Sequence, residues 1–416
     1  MAEKFDIVIA GGGMVGVSLA LQLGSVMPEA TSILLVESFA LPEEDPGQAA
    51  AYHPSFDARS TALSYSSQLI YERIGVWDVL RQWTCPIERI HVSSRGRFGS
   101  AVLDAANYDW PALGHVVENA WLGSALIQAL HHQGRVATAS PASVAAVEML
   151  QCGVRLHIEG REEGEVEAEL LVVADGANSG ICEQLGVLAQ SRPYGQHALI
   201  ANVATDQPHR GMAFERFTNE GPIALLPLLP ADGGAHRSAL VWTLPPRRAQ
   251  ALLDASAEAF LAQLQERFGY RLGRMLEVGQ RHSYPLSLVR SDEQVRQGVV
   301  VMGNAAHALH PVAGQGFNLA LRDVAELVAE LAQGAADGVS AGELALLRRY
   351  QARQRDDQER TIGFSDKVPG LFMHADPLLG LGRDLALAGL DVLPFLKREF
   401  VRHAAGVAAM GQIADG

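Results

Sequence analysis

The stretch FDIVIAGGGMVGVSLALQLG, near the N-terminus, constrains the fold more than any other part of the chain. Ile7 to Ala10 form an unbroken apolar run, the pattern of a parallel strand buried on both faces. Gly11, Gly13 and Gly16 follow in G-x-G-x-x-G spacing, and Val17, Leu19, Ala20 and Leu23 continue as a helix. A second apolar run, Ile33 to Val36, ends in Glu37, roughly 20 residues beyond the last glycine, where a βαβ unit places its acid. Gly11 permits the tight turn, Gly13 lets a pyrophosphate approach the backbone, and Gly16 lets helix and strand pack closely. The helix N-terminus offers free N–H groups and a positive dipole end, and Glu37 can accept ribose hydroxyls while repelling a 2′-phosphate. The unit fits an ADP moiety, from either FAD or NAD.

Two further segments repeat the theme of a buried strand ending in special backbone. In EAELLVVADGANS, the run Leu170 to Ala174 ends in Asp175-Gly176. In GVVVMGNAAHALHPVAGQGFNLALRD, Val299 to Met302 form a strand and a helix begins near Gly316. The order and spacing of the three motifs, over nearly the whole chain, resemble the flavin-dependent aromatic hydroxylases of the p-hydroxybenzoate hydroxylase fold. That resemblance implies FAD, wrapped by residues 303 to 318. Gly303 and Asn304 would meet the ribityl chain, and Gly314, Gln315 and Gly316 the N1 and O2 edge of the flavin, with Asn318 beside them. Pro311 would lie by the reactive face. Arg59, in FDARSTALS, and Asn119, opening a helix, carry over as further cofactor contacts, and Asp175 as a contact near the pyrophosphate. The family's usual Gly-Asp is Gly303-Asn304 here, and an asparagine carbonyl can accept the same hydrogen bond without charge. The arginine often found shortly after the Asp-Gly motif is missing.

The segments FDARSTALS, IHVSSRGRFG, AFERFTNEGPIALLPL and HPVAGQGFNLALRD place the closest resemblance in the ubiquinone-biosynthesis branch, which shares the asparagine. The implied reaction is hydroxylation of a polyprenylated methoxyphenol. NAD(P)H would act as a visiting reductant and O2 as oxidant, since the chain has one dinucleotide fingerprint and no C-x-x-C. No catalytic triad or metal site is expected. His307 and Pro311 are the catalytic candidates, with His310 beside them as a further proton carrier. Strand-like runs in the middle of the chain suggest an antiparallel sheet roofing the flavin, with Phe214, Arg216, Phe217, Leu226 and Pro227 as substrate-lining candidates. Other readings are a sister enzyme acting at another ring position or on a soluble aromatic acid, and a flavoprotein that mainly scaffolds a biosynthetic complex. An NAD-dependent dehydrogenase leaves residues 303 to 318 without a use.

The expected fold is α/β. A discontinuous, Rossmann-like FAD-binding domain spans 1–75, 112–190 and 282–345. A mainly antiparallel substrate domain spans 76–111 and 191–281, and a helical C-terminal region spans 346–416. A net charge of −14 argues against a nucleic-acid partner. Cys85, Cys152 and Cys182 have neither disulfide nor zinc spacing. The N-terminal apolar core is too short for a signal peptide, and no uncharged run approaches the ~20 residues of a membrane span. The expectation is a cytoplasmic protein whose leucine-rich residues 376–406 form a helical hairpin packed on the flavin domain or an amphipathic surface for membrane or for other ubiquinone-biosynthesis proteins, two readings that are compatible where only the far end is exposed.

Overall fold

A computed structural model describes residues 2–42, 59–96, 100–162, 164–231, 234–309 and 314–373. The segment 376–406, with its proposed membrane or partner surface, therefore lies outside the described residues, as do His310 and Pro311. No described helix is long and apolar enough to cross a membrane.

The four apolar runs become neighbouring parallel strands. Glu3–Ala10 pairs with Ile33–Val36 on one side and Glu165–Val173 on the other, and Glu165–Val173 pairs in turn with Val299–Val301. Alternation along these strands feeds two cores. Ile7 and Ile9 pack with the helices Met14–Val26, Asn119–Gln133 and Gln315–Ala336, while Val8 and Ala10 pack with Leu156, Val166 and Ile181 on the opposite side. Both faces are covered, which is why the strands read as continuous apolar runs. The long strand Glu165–Val173 splits its partners: its first half pairs antiparallel with Val154–Glu159, and its end pairs with Val299–Val301.

A second, nine-stranded sheet is mainly antiparallel. Its back is covered by the helices Pro246–Asp254 and Ala257–Phe268, which bury Phe260, Leu264 and Phe268 on Leu199, Phe214, Leu225, Leu240 and Trp242. Its front meets a three-stranded sheet of Ser60–Ser64, Thr84–Ile87 and Gly114–Glu118. There Ala213, Leu226 and Ala239 pack with Ile87, Val116 and Ala62.

Two boundaries differ from the sequence reading. His282–Ser291, assigned to the FAD-binding part, pairs along its length with Ala189–Thr205 and so belongs to the antiparallel sheet. Thr84–Ile87, assigned to the substrate part, pairs with Gly114–Glu118 instead. Both strands lie where the chain crosses between layers, so composition does not mark which sheet they join.

Candidate active site

The three motifs, far apart in sequence, meet at one edge of the parallel sheet. The register sets Val36, Ala10, Val173 and Val301 side by side at the carboxyl ends of their strands. Backbone bonds carry the alignment one residue further. Gly11 N–H donates to the Val36 carbonyl (2.8 Å), Ala174 N–H to Ala10 (2.8 Å), and Met302 N–H to Val173 (2.9 Å). Glu37, Gly11, Asp175 and Gly303 therefore open from one crevice, the place where doubly wound sheets hold dinucleotides.

Close backbone approach dictates the glycines there. Gly11 has φ +109°, and a Cβ on it would lie 2.5 Å from the Ala174 carbonyl oxygen. A Cβ on Gly16 would fall 1.8 Å from the Gly11 carbonyl oxygen, so helix and turn touch without room for a methyl group. Gly13 is the N-cap of the helix Met14–Val26 and, having no side chain, cannot cap it, which leaves the first N–H groups free for an anion. Buried Glu37 lies against this turn: its Oε2 accepts from Gly12 N–H at 2.5 Å and its Oε1 from Phe39 N–H at 2.9 Å. Across the crevice, burial raises the Asp175 carboxyl above the usual range, against the lowering effect of the Ser179 hydroxyl that donates to it (2.9 Å). The Asn304 side chain is exposed. Positions Gly176 and Gly316 face open space, with nothing within 4 Å of an added Cβ. A glycine-lined edge with a helix N-terminus, exposed acceptors and open space fits FAD.

The helix of the third motif opens on a left-handed residue. Gly314, at φ +60° and ψ 29°, caps the 22-residue helix Gln315–Ala336, and an added Cβ would press on Ala62 at 3.2 Å. Asn318, expected at the cofactor, is turned inward and 1% exposed. Its Nδ2 donates to the carbonyls of Ala62 (2.8 Å) and Gly314 (2.7 Å), and its Oδ1 accepts from Ser64 N–H (2.8 Å) and Ser67 Oγ (2.7 Å). Every hydrogen-bonding valence of the side-chain amide is used within the protein, so Asn318 pins the turn. His307, a catalytic candidate, is also buried: its Nε2 pairs with Asp323 Oδ2 (2.7 Å), and Gln358 Nε2 donates to the other Asp323 oxygen (2.9 Å). The pair ties the start of the motif to the two long C-terminal helices.

Arg59 and Asn119 come together at the joint between the sheets. The Arg59 carbonyl accepts from Asn119 N–H (2.8 Å), and the Arg59 guanidinium lies over the Tyr284 ring, 5.3 Å from its centroid. Asn119 is buried, with its Oδ1 accepting from Thr61 Oγ1 (2.7 Å), and the helix N-cap is Glu118 rather than Asn119.

Strand parity decides the substrate-lining candidates. In Met212–Phe217, Ala213 packs on the front cluster and Phe214 on the back one. Phe214 meets Phe268 edge-on at 5.5 Å, and Arg216 Nε donates to the Arg267 carbonyl (3.1 Å), both on the helix-covered side. Burial lowers the Arg216 pKa, and Arg271 and Arg95 add to it. Phe214 and Arg216 are thus corrected: they brace the back of the sheet. Pro227 shares the back-facing parity of Leu225, whereas Leu226 packs with the front cluster and Phe217 has front-facing parity. Sequence reasoning missed Glu215, front-facing and half-buried, although it lies in the quoted FERF segment. Desolvation pushes its carboxyl up to about 7. Alternation from Phe214 would have found it once the helices were placed.

Among the described residues no group of three or more His, Cys, Asp or Glu side chains is arranged to hold a metal. The FAD binding domain family matches residues 4–365. Ubiquinone hydroxylase UbiL of Rhodospirillum rubrum is 34% identical, over 98% of this chain and 90% of the relative. The 3-demethoxyubiquinol 3-hydroxylase of Escherichia coli is 30% identical, over 97% and 99%. In structure, p-nitrophenol 4-monooxygenase PnpA of Pseudomonas putida superposes with a TM-score of 0.77 at 18% identity, covering 97% of this chain and 99% of that one. That likeness shows the shared fold.

Proposed function

Since the chain belongs to the FAD binding domain family and is an FAD-dependent monooxygenase homologous to the ubiquinone hydroxylases, we propose that it hydroxylates the ring of a polyprenylated phenol in ubiquinone biosynthesis. The first substrate to test is 2-polyprenyl-6-methoxyphenol. The observation that carries the reading is the pairing of the motif-bearing crevice with a sheet front whose central side chains, Val92, Ala224, Val241 and Ile200, are apolar and only half-buried. Such a surface suits an aromatic ring and an apolar tail.

Bound FAD supplies electron storage from NAD(P)H and the activation of O2. The chain's own groups bind and orient. The Gly11–Gly16 turn and Glu37 would hold the ADP half, Asp175, Gly303 and Asn304 the middle of the cofactor. The N–H groups of Gln315 and Gly316, at a helix N-terminus, would stabilise negative charge on the ring system. Arg59, stacked on Tyr284, closes the joint between cofactor crevice and sheet. We also propose peripheral contact with the membrane, where a polyprenyl substrate resides, and with other enzymes of the pathway. Co-sedimentation with anionic liposomes tests the first.

The test is turnover of the FAD-reconstituted protein with NADH or NADPH, 18O2 and a short-chain 2-prenyl-6-methoxyphenol. One labelled oxygen on the ring is expected; reductant consumption without ring oxygenation, on this phenol and on demethoxyubiquinol, refutes the reading. The similarity to the 3-demethoxyubiquinol 3-hydroxylase favours a second reading at a different ring carbon, and the position of the label separates the two.

A further inference from the structure

We infer that Glu215 receives the ring hydroxyl of the aromatic substrate, accepting its hydrogen bond and then its proton as the ring becomes nucleophilic. This rests on the reading of the protein as a phenol hydroxylase. The argument begins with register. Residues paired across strands point to the same face, and one row across the front of the sheet runs Ala101, Val92, Glu215, Ala224, Val241, Ile200, His282. Glu215 is the one carboxylate in it. On its own strand it stands between Ala213 and Phe217.

Ala213 fixes where that face looks. It packs in the cluster that Ala62 joins, and Ala62 underlies the Gly314 turn at the start of the third motif. Glu215 lies two residues further along, about 7 Å past that packed contact, where the front face opens and Val92, Glu215, Ala224, Val241 and Ile200 are only half-buried. The carboxylate therefore projects over the cleft beside the third motif.

Among the described residues neither a hydrogen bond nor an ion pair reaches Glu215, and Arg216 beside it points to the opposite face to bond Arg267. The titratable side chain closest along the row is His282, four strands away at about 19 Å; Ala101, Val92, Ala224, Val241, Ala213 and Phe217 carry no charge. A carboxylate desolvated by an apolar surface and left unpaired is costly for folding alone. It is well suited to meet one polar group on an otherwise apolar ligand. Burial raises its pKa to about 7, which narrows the gap to a phenol near 10. The step moves only a proton: the phenol O–H bond breaks, an O–H bond forms on Glu215, and the electron pair left on oxygen activates the ring carbon.

The experiment uses the full-length, FAD-loaded protein and two probes, 2-prenyl-6-methoxyphenol and its O-methyl ether, titrated by flavin absorbance. Glu215→Gln is expected to weaken phenol binding about tenfold or more while leaving the ether unchanged. It should lower kcat on the order of a hundredfold and remove the limb of the pH–rate profile near 7. Glu215→Asp, which keeps the acid but draws it back, should retain FAD and a limb. If both variants bind phenol and ether in the wild-type ratio, with an unchanged limb, the assignment to Glu215 is wrong. If the wild type binds neither probe and hydroxylates no phenol, the phenol-hydroxylase reading falls, and this inference with it.

Discussion

Asn318→Ala isolates the device that holds the flavin-side turn in place. Four bonds end on this one amide, from strand Ser60–Ser64, helix Tyr65–Arg73 and the Gly314 turn. Truncation orphans two buried donors, Ser64 N–H and Ser67 Oγ–H, and removes a partner from the Ala62 and Gly314 carbonyls. A buried donor left unsatisfied costs about 1–3 kcal/mol, so with partial relaxation the loss is about 2–4 kcal/mol. For a chain of 416 residues, that corresponds to a fall of about 2–5 °C in Tm. Asn318→Asp keeps the acceptor for Ser64 and Ser67 but sets an anion against two carbonyl oxygens, and should be destabilised by a similar amount. Both variants free the Gly314 turn from Ala62, so FAD affinity should fall about tenfold, the equivalent of one such hydrogen bond. Scanning calorimetry of the apo protein and fluorescence titration with FAD read the two effects separately. An Asn318→Ala protein with Tm within about 1 °C of wild type would refute the account of this residue as the pin of the turn.

Gly16→Ala puts a methyl group 1.8 Å from the Gly11 carbonyl oxygen; it should cost about 3 kcal/mol or more and yield a colourless protein, and a yellow, fully loaded variant contradicts the close packing. Glu37→Gln removes the charge that Gly12 and Phe39 N–H groups donate to, so the FAD Kd should rise about tenfold, measured by flavin fluorescence quenching; an unchanged Kd denies Glu37 its place at the cofactor. The Glu215 carboxyl is raised from 4.5 to about 7, so the folded state holds the extra proton between those values. Its contribution to stability is full below 4.5 and is lost as pH rises through about 7, amounting to at most roughly 3 kcal/mol. Glu215→Gln should flatten the Tm-against-pH curve between 5 and 7 relative to wild type, and parallel curves would show that the carboxyl is not desolvated.

How much of this the sequence revealed depends on whether local pattern or long-range placement decides a feature. Ile33–Val36 coincides with the strand read from its apolar run, because a parallel strand covered on both faces needs no alternation to interpret. The glycine turns were equally plain, since backbone approach leaves few residue types possible. The role of Asn318 is illegible for the opposite reason. It lies inside a cofactor motif, but its partners Ser64 and Ser67 are more than 250 residues away, and no local pattern points to them. His307 likewise looked available beside a glycine turn, while Asp323 and Gln358 bury it from helices further on. Phe214 and Arg216 were chosen by residue type from a strand that has two faces. Which face meets the cleft is fixed only by the later helices Pro246–Asp254 and Ala257–Phe268.

The two halves of the site also differ in what evolution can alter. The shape of the cofactor crevice comes mainly from backbone N–H groups, carbonyls and the space left by missing side chains, with the Glu37 and Asp175 carboxylates added to it, so Asn304 in place of the usual aspartate leaves the scaffold intact. The sheet front is made from side chains alone. Substituting Val92, Ala224, Val241 or Ile200 changes the shape over the ring without moving a strand, because their backbone bonds persist whatever the side chain. Enzymes of one fold can then present different ring carbons to the same flavin edge by resizing this row around a fixed anchor. A carboxylate that holds the ring hydroxyl supplies that anchor: with one oxygen of the substrate fixed, a single methylene gained or lost on a flanking strand rotates the ring about it. With Glu215 as the proposed anchor, regiochemistry would be set on the antiparallel sheet and not at the glycine motifs.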